Sequence, residues 1–382
     1  MAYDKVVDSA SLDSKLTQVA DAIRTKGNTS ADLQFPSGFI SAIQAIQTGT
    51  ELQIIVSVTS GATVTATKGS KVVSGTSVNG TCTLTVPEAG TWSVKATRNG
   101  QTSDTKSVTF TDSYAVALSF VSAVLNDNDW ATIKTVSDKG EGANYWSIGD
   151  RKAVTLNGTV GHLTLSNYTT YAFIIGFNHN QELEGANRIH FQLGKTARSG
   201  GTDVALCDSS YLSKVSGSGF FAMNSNETNY GGWEAADMRF GICGTSLSSA
   251  AGTIIAAIPE ALRATLKSVT KYTDNAAFGS GSSESNITAT TDYFFLPSEY
   301  EVFGSITYAN SNEASKQAQY AYYSAGNSKI RNKHDEPNAA ANWWLRSPCA
   351  NETADFVFVG TTGVSNFVTA SYSIGFAPGF CV

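Results

Sequence analysis

The chain has 382 residues, a net charge of −6, and 15% charged against 41% hydrophobic side chains. That length points to two or three domains with sizeable cores, and no stretch approaches the ~20 apolar residues of a membrane span. The lack of a basic block argues against nucleic acid as a partner, because binding it requires a positive footprint. No basic region followed by an apolar run opens the chain, so no secretory signal is read. Action outside a cell would then need another exit, such as lysis.

Residues 1–50 read as a small helical module. Leu12, Leu16, Val19, Ala20 and Ile23 fall at helical spacing, with Ser9 or Ser11 as a cap and Gly27 as a stop. After a turn at Asn28-Thr29-Ser30, a second helix carries Phe39, Ile40, Ile43 and Ile46. Two short helices bury little alone, so this module is expected to dock or oligomerise.

Residues 51–121 read as all-β. Runs beginning at Gln53, Ala62, Cys82, Trp92 and Ser107 are separated by turn residues at Lys68-Gly69-Ser70, Asn79-Gly80, Glu88-Ala89-Gly90 and Asn99-Gly100. Short strands with regular turns indicate a β-sandwich, here a spacer.

Residues 122–382 contain no obvious linker and read as one domain of mixed α+β structure. Tyr171–Phe177 and Tyr293–Leu296 read as buried strands, and Pro259–Val269 as a helix with Ala261, Leu262, Leu266 and Val269 on its apolar face. Polar stretches at Gly279–Asn286 and Ala309–Asn342 read as long loops, with Trp146, Trp233, Trp343 and Trp344 as anchors.

Three blocks of this domain carry a resemblance. The first is Tyr145–Asp150 with Gly176–Asn180 and Arg188–Lys195. The second is Gly231–Arg239 with Leu296–Gly304. The third, and the most specific, is Trp343-Trp344-Leu345-Arg346-Ser347-Pro348 with Gly375–Val382. Together they resemble C-type-lectin-like (formylglycine-generating-enzyme-like) domains found in prophages and surface proteins of gut Firmicutes, some of them variable proteins of diversity-generating retroelements. The start of the chain, through Val19–Arg24 and Phe35–Phe39, resembles phage minor structural proteins, and the middle resembles the immunoglobulin-like spacers of tail proteins.

The resemblance implies a phage tail-tip receptor-binding protein, made in the host cytoplasm and acting on the virion tail. Its partners would be a bacterial surface protein or glycan and, through the N-terminal module, other tail proteins. It would form a homo-oligomer, a trimer by preference, without membrane insertion. A recognition segment would span residues 342–376. Trp343, Trp344, Leu345, Arg346, Pro348, Phe356, Val359, Gly363, Ala370, Gly375 and Pro378 would be its fixed scaffold. Asn342, Cys349, Asp355, Phe358, Gly360, Asn366, Phe367, Val368, Tyr372 and Ile374 would face the ligand. Phe376 stands where the family pattern has a small aliphatic.

One conflict arises from the residues themselves. In an alternating strand Phe356 and Phe358 share a face, yet the resemblance makes the first scaffold and the second ligand-facing.

No catalytic residue, metal or cofactor is expected. His162, His179, His190 and His334 make no HxH or HExxH spacing, and no G-x-S-x-G elbow or P-loop occurs. His190 reads as a half-buried, hydrogen-bonded strand residue, and Arg346 as a buried structural arginine. Glu336-Pro337-Asn338 matches a calcium- and sugar-binding tripeptide of C-type lectins, but its partner motif is missing. The five cysteines include no CxxC pair. They read as buried thiols, with a Cys207–Cys243 bridge left open. A cell-wall glycan hydrolase would need two carboxylates flanking a cleft, and no such pair is legible. A cell-encoded lectin-like adhesin is the other alternative, and it would need an export signal.

Overall fold

The computed structural model describes residues 9–28, 30–45, 51–248 and 251–382. It is an α+β structure with more strand than helix, built from several β-sheets. The chain divides into two compact units, Met1–Phe120 and Val121–Val382.

In the first unit, helices α1 (Ser9–Gly27) and α2 (Ser37–Ala45) meet through Ala20, Ile23 and Phe39. Ser11 lies inside α1 and cannot cap it, and Ile46 lies outside the described residues. Leu16, Leu33 and Ala42 pack partly against Ala20, Ile23 and Phe39, while Leu12, Val19, Phe35, Ile40 and Ile43 are exposed.

Eight strands follow: β1 (Gln53–Ser57), β2 (Thr63–Lys68), β3 (Lys71–Thr76), β4 (Thr81–Thr85), β5 (Gly90–Arg98), β6 (Gln101–Thr102), β7 (Lys106–Phe110) and β8 (Tyr114–Ala117). One sheet has the order β4-β1-β8, the other β3-β2-β5-β6 with β7 on β5. Alternate residues of both sheets point into one core, including Ile54, Val56, Val64, Ala66, Leu84, Trp92, Val94 and Val108. Period-two patterning is the cause, since successive side chains of a strand leave on opposite faces.

The second unit begins with α3 (Trp130–Asp138), capped by the Asp129 carboxylate accepting from the Thr132 amide at 2.7 Å. Its strands are β9 (Arg151–Val160), β10 (Leu163–Phe177), β11 (Ile189–Lys195), β12 (Val204–Ala205), β13 (Val269–Asp274), β14 (Ile287–Asp292), β15 (Phe294–Phe295), β16 (Arg331–Lys333), β17 (Ala340–Ala341), β18 (Trp343–Pro348), β19 (Asp355–Val359), β20 (Ser365–Thr369) and β21 (Gly379–Cys381). The main sheet has the order β15-β21-β11-β10-β9. The C-terminal strand is thus an inner strand, hydrogen-bonded on both sides. Trp130 of α3 packs edge-on against Phe191 and Phe380 of this sheet.

The expected helix over Pro259–Val269 is broken. Only Glu260–Arg263 is helical, Lys267 bridges to Cys381, and Val269 already belongs to β13. Strand pairing at both points overrides the apolar spacing. The Ala309–Asn342 stretch is no plain loop either. Asn310, Glu313, Tyr320, Tyr322, Tyr323 and Arg331 are all buried in it. Its polar residues are partners for an interior network rather than a solvated surface.

The sheet β18-β19-β20 lies between two apolar clusters. Trp343 and Trp344 are both fully buried. Being consecutive in a strand, they face opposite ways, one into each cluster. Their indole N–H groups donate to Lys329 O at 2.9 Å and Phe221 O at 2.9 Å. At Gly375 a Cβ would stand 2.6 Å from Asn342 O and 2.7 Å from the Ala205 Cβ. A side chain there would push β18 off its neighbour.

Candidate functional site

Two regions of the second unit gather chemistry-bearing residues: a charged cluster in its interior and a surface built around the last forty residues.

The interior cluster joins residues far apart in sequence. Lys271 Nζ donates to Glu301 Oε1 at 2.9 Å, Glu184 Oε2 at 2.6 Å and the Tyr320 hydroxyl at 2.7 Å. Arg346 holds Glu301 by two N–H donors, one at 3.0 Å, and also reaches Thr273 Oγ1 and Leu296 O, each at 2.9 Å. The Ser298 amide completes the Glu301 shell at 2.9 Å within a capping box. Lys271, Glu301 and Arg346 are wholly buried. Burial works to raise the Glu301 carboxyl, but Arg346 and Lys271 outweigh it and hold the group below the usual carboxylate range. Glu184 and Glu313 have less compensation, and burial pushes each up to about 7. Burial lowers His179 to about 3, so its ring is neutral where it stacks on Tyr320 at 3.9 Å.

His179, Glu184 and Glu301 place ligand atoms within 4.8 Å of one another. This is the one such metal-like group among the described residues. Two protein cations already lie against its carboxylates, and a divalent ion would add charge to a balanced cluster. His190, expected to be half-buried, is fully buried. Its Nδ1 lies 3.3 Å from both Tyr320 OH and Cys381 Sγ. Burial pushes the Cys381 thiol up to about 12, which removes thiolate character. All five cysteines are free and buried, so the Cys207–Cys243 bridge is absent. The charges of the cluster are paired and sealed from solvent.

The surface is different. β20 is the outer strand of its sheet, and its five residues are half-buried or exposed. Its register sets Phe356 opposite Val368, Val357 opposite Phe367 and Phe358 opposite Asn366. Phe367 packs edge-on against Tyr308 at 5.0 Å on one face. Val368 and Tyr372 lean on the core of the other. The Phe356/Phe358 conflict is thereby resolved, because both faces of the sheet are covered and both phenylalanines are inside.

Of the ten residues expected to face a ligand, Asn366 is exposed, and Asn342, Asp355, Phe367, Val368 and Tyr372 are half-buried. The expectation fails for Cys349 (4% exposed), Phe358 (7%), Ile374 (1%) and the buried Gly360. Phe358 packs against Trp344, and Ile374 is held by its amide donating to Phe221 O. Cys349 sits where the chain turns inward beneath Asn229, which donates to its carbonyl at 3.2 Å.

Asn229 is a residue that sequence reasoning missed. It is fully buried, and its Nδ2 also donates to Glu352 O at 2.8 Å and Asp355 O at 3.1 Å. Its amide reaches Thr353 O at 3.0 Å, and its Oδ1 accepts from the Phe278 amide at 2.9 Å. One side chain thus ties the 227–232 and 276–279 loops to the turn between β18 and β19. Above it stand Tyr230 and Phe278, 68% and 54% exposed, their rings 5.9 Å apart and nearly perpendicular. Ala277 and Phe278 take φ of +43° and +64°, a conformation unfavourable to side-chain-bearing residues. The surrounding hydrogen bonds hold Phe278 outward at that cost. At Gly232, also left-handed, a Cβ would fall 2.0 Å from Asp274 O, so glycine is required for the two loops to meet. The available signal was an aromatic residue among small and polar ones, as in Asn229-Tyr230-Gly231-Gly232 and Ala277-Phe278-Gly279.

On the other flank, Lys214 pairs with Glu227 at 2.5 Å and lies 5.9 Å from the Tyr372 ring centre. The Glu227 hydrogen bond raises the Lys214 ammonium, with smaller contributions from Tyr372 and Asp355. Beside them is an open depression of about 330 Å³ lined by Lys214, Ser216, Ser225, Asn226, Glu227 and Ser371. Glu336-Pro337-Asn338 is exposed, with Glu336 paired to Lys333 at 3.3 Å and no cluster of metal ligands around it among the described residues. The surface offers aromatic rings, hydroxyls, amides and carboxylates.

No curated protein matches the chain. Residues 222–382, which include all of this surface except the Lys214 strip, are similar to a family described as a domain of unknown function (DUF6273).

Proposed function

We propose that the chain is a binding protein that recognises a bacterial surface protein or glycan, as the receptor-binding protein of a phage tail tip. The carrying observation is the contrast between the buried strands β18 and β19 and the segments that flank them. β18 and β19 are locked in the core, while β20, Tyr372 and the Asn229-tethered loops stand at the surface with aromatic and adaptable polar side chains. Interfaces centre on such anchors, and Tyr beside Ser and Asn is the usual composition of antibody loops.

In this reading the second unit is a C-type-lectin-like domain. The sandwich is an immunoglobulin-like spacer, and the helices attach to other tail proteins or to further copies of the chain, a trimer by preference. The exposed Leu12, Val19, Ile40 and Ile43 support that last role, since an apolar face this size on two short helices calls for a partner. The ligand-facing set contracts to Asn342, Asp355, Asn366, Phe367, Val368 and Tyr372. In this reading retroelement diversification is confined to those of them that can vary without touching the core.

The test is adhesion of the labelled full chain to a panel of bacterial cells. The Phe367→Ala/Tyr372→Ala double variant should lose adhesion at least tenfold while melting within a few degrees of the natural chain. Undiminished adhesion by the folded double variant would contradict the reading.

A further inference from the structure

The geometry points to a quaternary ammonium group as the ligand of the Tyr230–Phe278 corner. This inference deepens the recognition reading and rests on it, because it names a chemical group on the recognised ligand.

Two rings meeting at 85° with centroids 5.9 Å apart form two walls of a corner open to solvent. A methylated cation seated there would meet the negatively polarised face of each ring, and it is the ring faces, not their edges, that attract cations. The corner is pre-built. Asn229 fixes the backbone on both sides, and two consecutive left-handed residues hold Phe278 away from the core. An apolar side chain with no role outside the protein would be expected to relax inward.

Charge selects the occupant. Glu234 and Glu352 are exposed on segments joined to this corner, Glu234 through its amide to Asn275 Oδ1 and Glu352 through its carbonyl to Asn229. The Glu352 carbonyl carbon and oxygen lie 3.8 Å from where a Gly279 Cβ would be. Neither carboxylate has a salt-bridge partner among the described residues. The cations on adjoining segments are already held: Arg239, which donates to the Glu234 carbonyl, by Asp292, and Lys214 on the other flank by Glu227. The unpaired charge on the segments that build the corner is therefore negative, which disfavours phosphate and carboxylate ligands and favours a cation.

Hydration selects among cations. A primary ammonium is compact and strongly hydrated, and an open corner with two walls supplies too few acceptors to replace its water. A quaternary ammonium has no N–H to satisfy and carries a methyl surface that the rings can cover.

The experiment is a titration of the full chain with choline and tetramethylammonium, followed by tyrosine fluorescence and ligand-observed NMR. The neutral isostere 3,3-dimethylbutan-1-ol and lysine amide serve as controls. Choline should bind, with the neutral isostere and lysine amide each roughly two- to fivefold weaker, as an exposed cation–π contact allows. Tyr230→Ala and Phe278→Ala should each abolish choline binding without changing the melting temperature, and Glu352→Gln should weaken it severalfold. Equal affinity for the isostere would reduce the corner to an apolar patch. Equal affinity for lysine amide would reduce it to a charged one. Either result overturns the proposal, as does an absence of choline binding. Adhesion to cells without any effect of choline would sink this inference and leave the recognition reading intact. Choline binding by a chain that adheres to no cell would do the reverse.

Discussion

β19 and β20 are neighbours in one sheet, five residues each, and they behave oppositely. In β19, Phe356, Val357, Phe358 and Val359 are all buried, while in β20 no residue is. The sheet is covered on both faces, so what separates the strands is position. β19 has a strand on either side and β20 has one. In a doubly covered sheet, alternation along a strand no longer divides core from surface, and distance from the sheet's centre does.

The largest effects are expected on the buried side. Trp344→Ala should cost about 3–5 kcal/mol, as deletion of a packed tryptophan does. Arg346→Ala should cost a similar amount, because it leaves the Glu301 charge buried with only Lys271 for company. Urea denaturation reads both. If either variant unfolds near the natural midpoint, β18 is not the anchor described.

Next comes Asn229→Ala, which strands the carbonyls of Cys349, Glu352 and Asp355. A loss of about 2–3 kcal/mol is expected, together with faster amide exchange at Phe278. An unchanged Phe278 would show that the surface loops do not depend on this hub.

The pH profile sharpens the comparison from inside. Glu313 titrates at about 7 when folded, above its ordinary value of 4.5. The folded state therefore binds the proton more tightly, and this group's contribution is full below about 4.5 and lost as pH rises through 7. His179, lowered to about 3, works the other way: its contribution is present above about 6.5 and lost as pH falls. Glu313→Gln should remove the first trend, so the variant gains stability relative to the natural chain between pH 4.5 and 7, by an amount on the order of 3 kcal/mol. A parallel profile would mean that Glu313 is not protonated on folding.

The smallest effect is expected at β20 itself. Val368→Thr, a half-buried site at the edge, should change stability by less than about 1 kcal/mol. A loss comparable to that of Trp344→Ala would erase the distinction between the strands.

Much of this was legible in the sequence. Five of the eight strands of the first unit, β1, β2, β4, β5 and β7, followed from alternation and turn residues, and Trp343 and Trp344 were legible as anchors, though not that both are buried on opposite faces of β18. The Pro259–Val269 helix misled because its apolar spacing is equally compatible with a helical turn running into a strand. Phe358 and Ile374 were misplaced because a covered second face leaves no periodic mark. The Lys271–Glu301–Arg346 cluster brings together residues 45 and 30 positions apart, and no local pattern announces that. Phe278 is held outward by left-handed backbone at Ala277 and Phe278, which the residue types there do not favour.

The most direct test of the central claim is a saturation-substitution scan of all ten residues first expected to face a ligand, displayed on the full chain and sorted for folding by protease resistance. Asn342, Asp355, Asn366, Phe367, Val368 and Tyr372 should accept most substitutions, while Cys349, Phe358, Gly360 and Ile374 reject nearly all but the smallest changes. Uniform intolerance across the ten, or tolerance at Phe358 and Ile374 with rejection at Asn366 and Tyr372, would contradict the account.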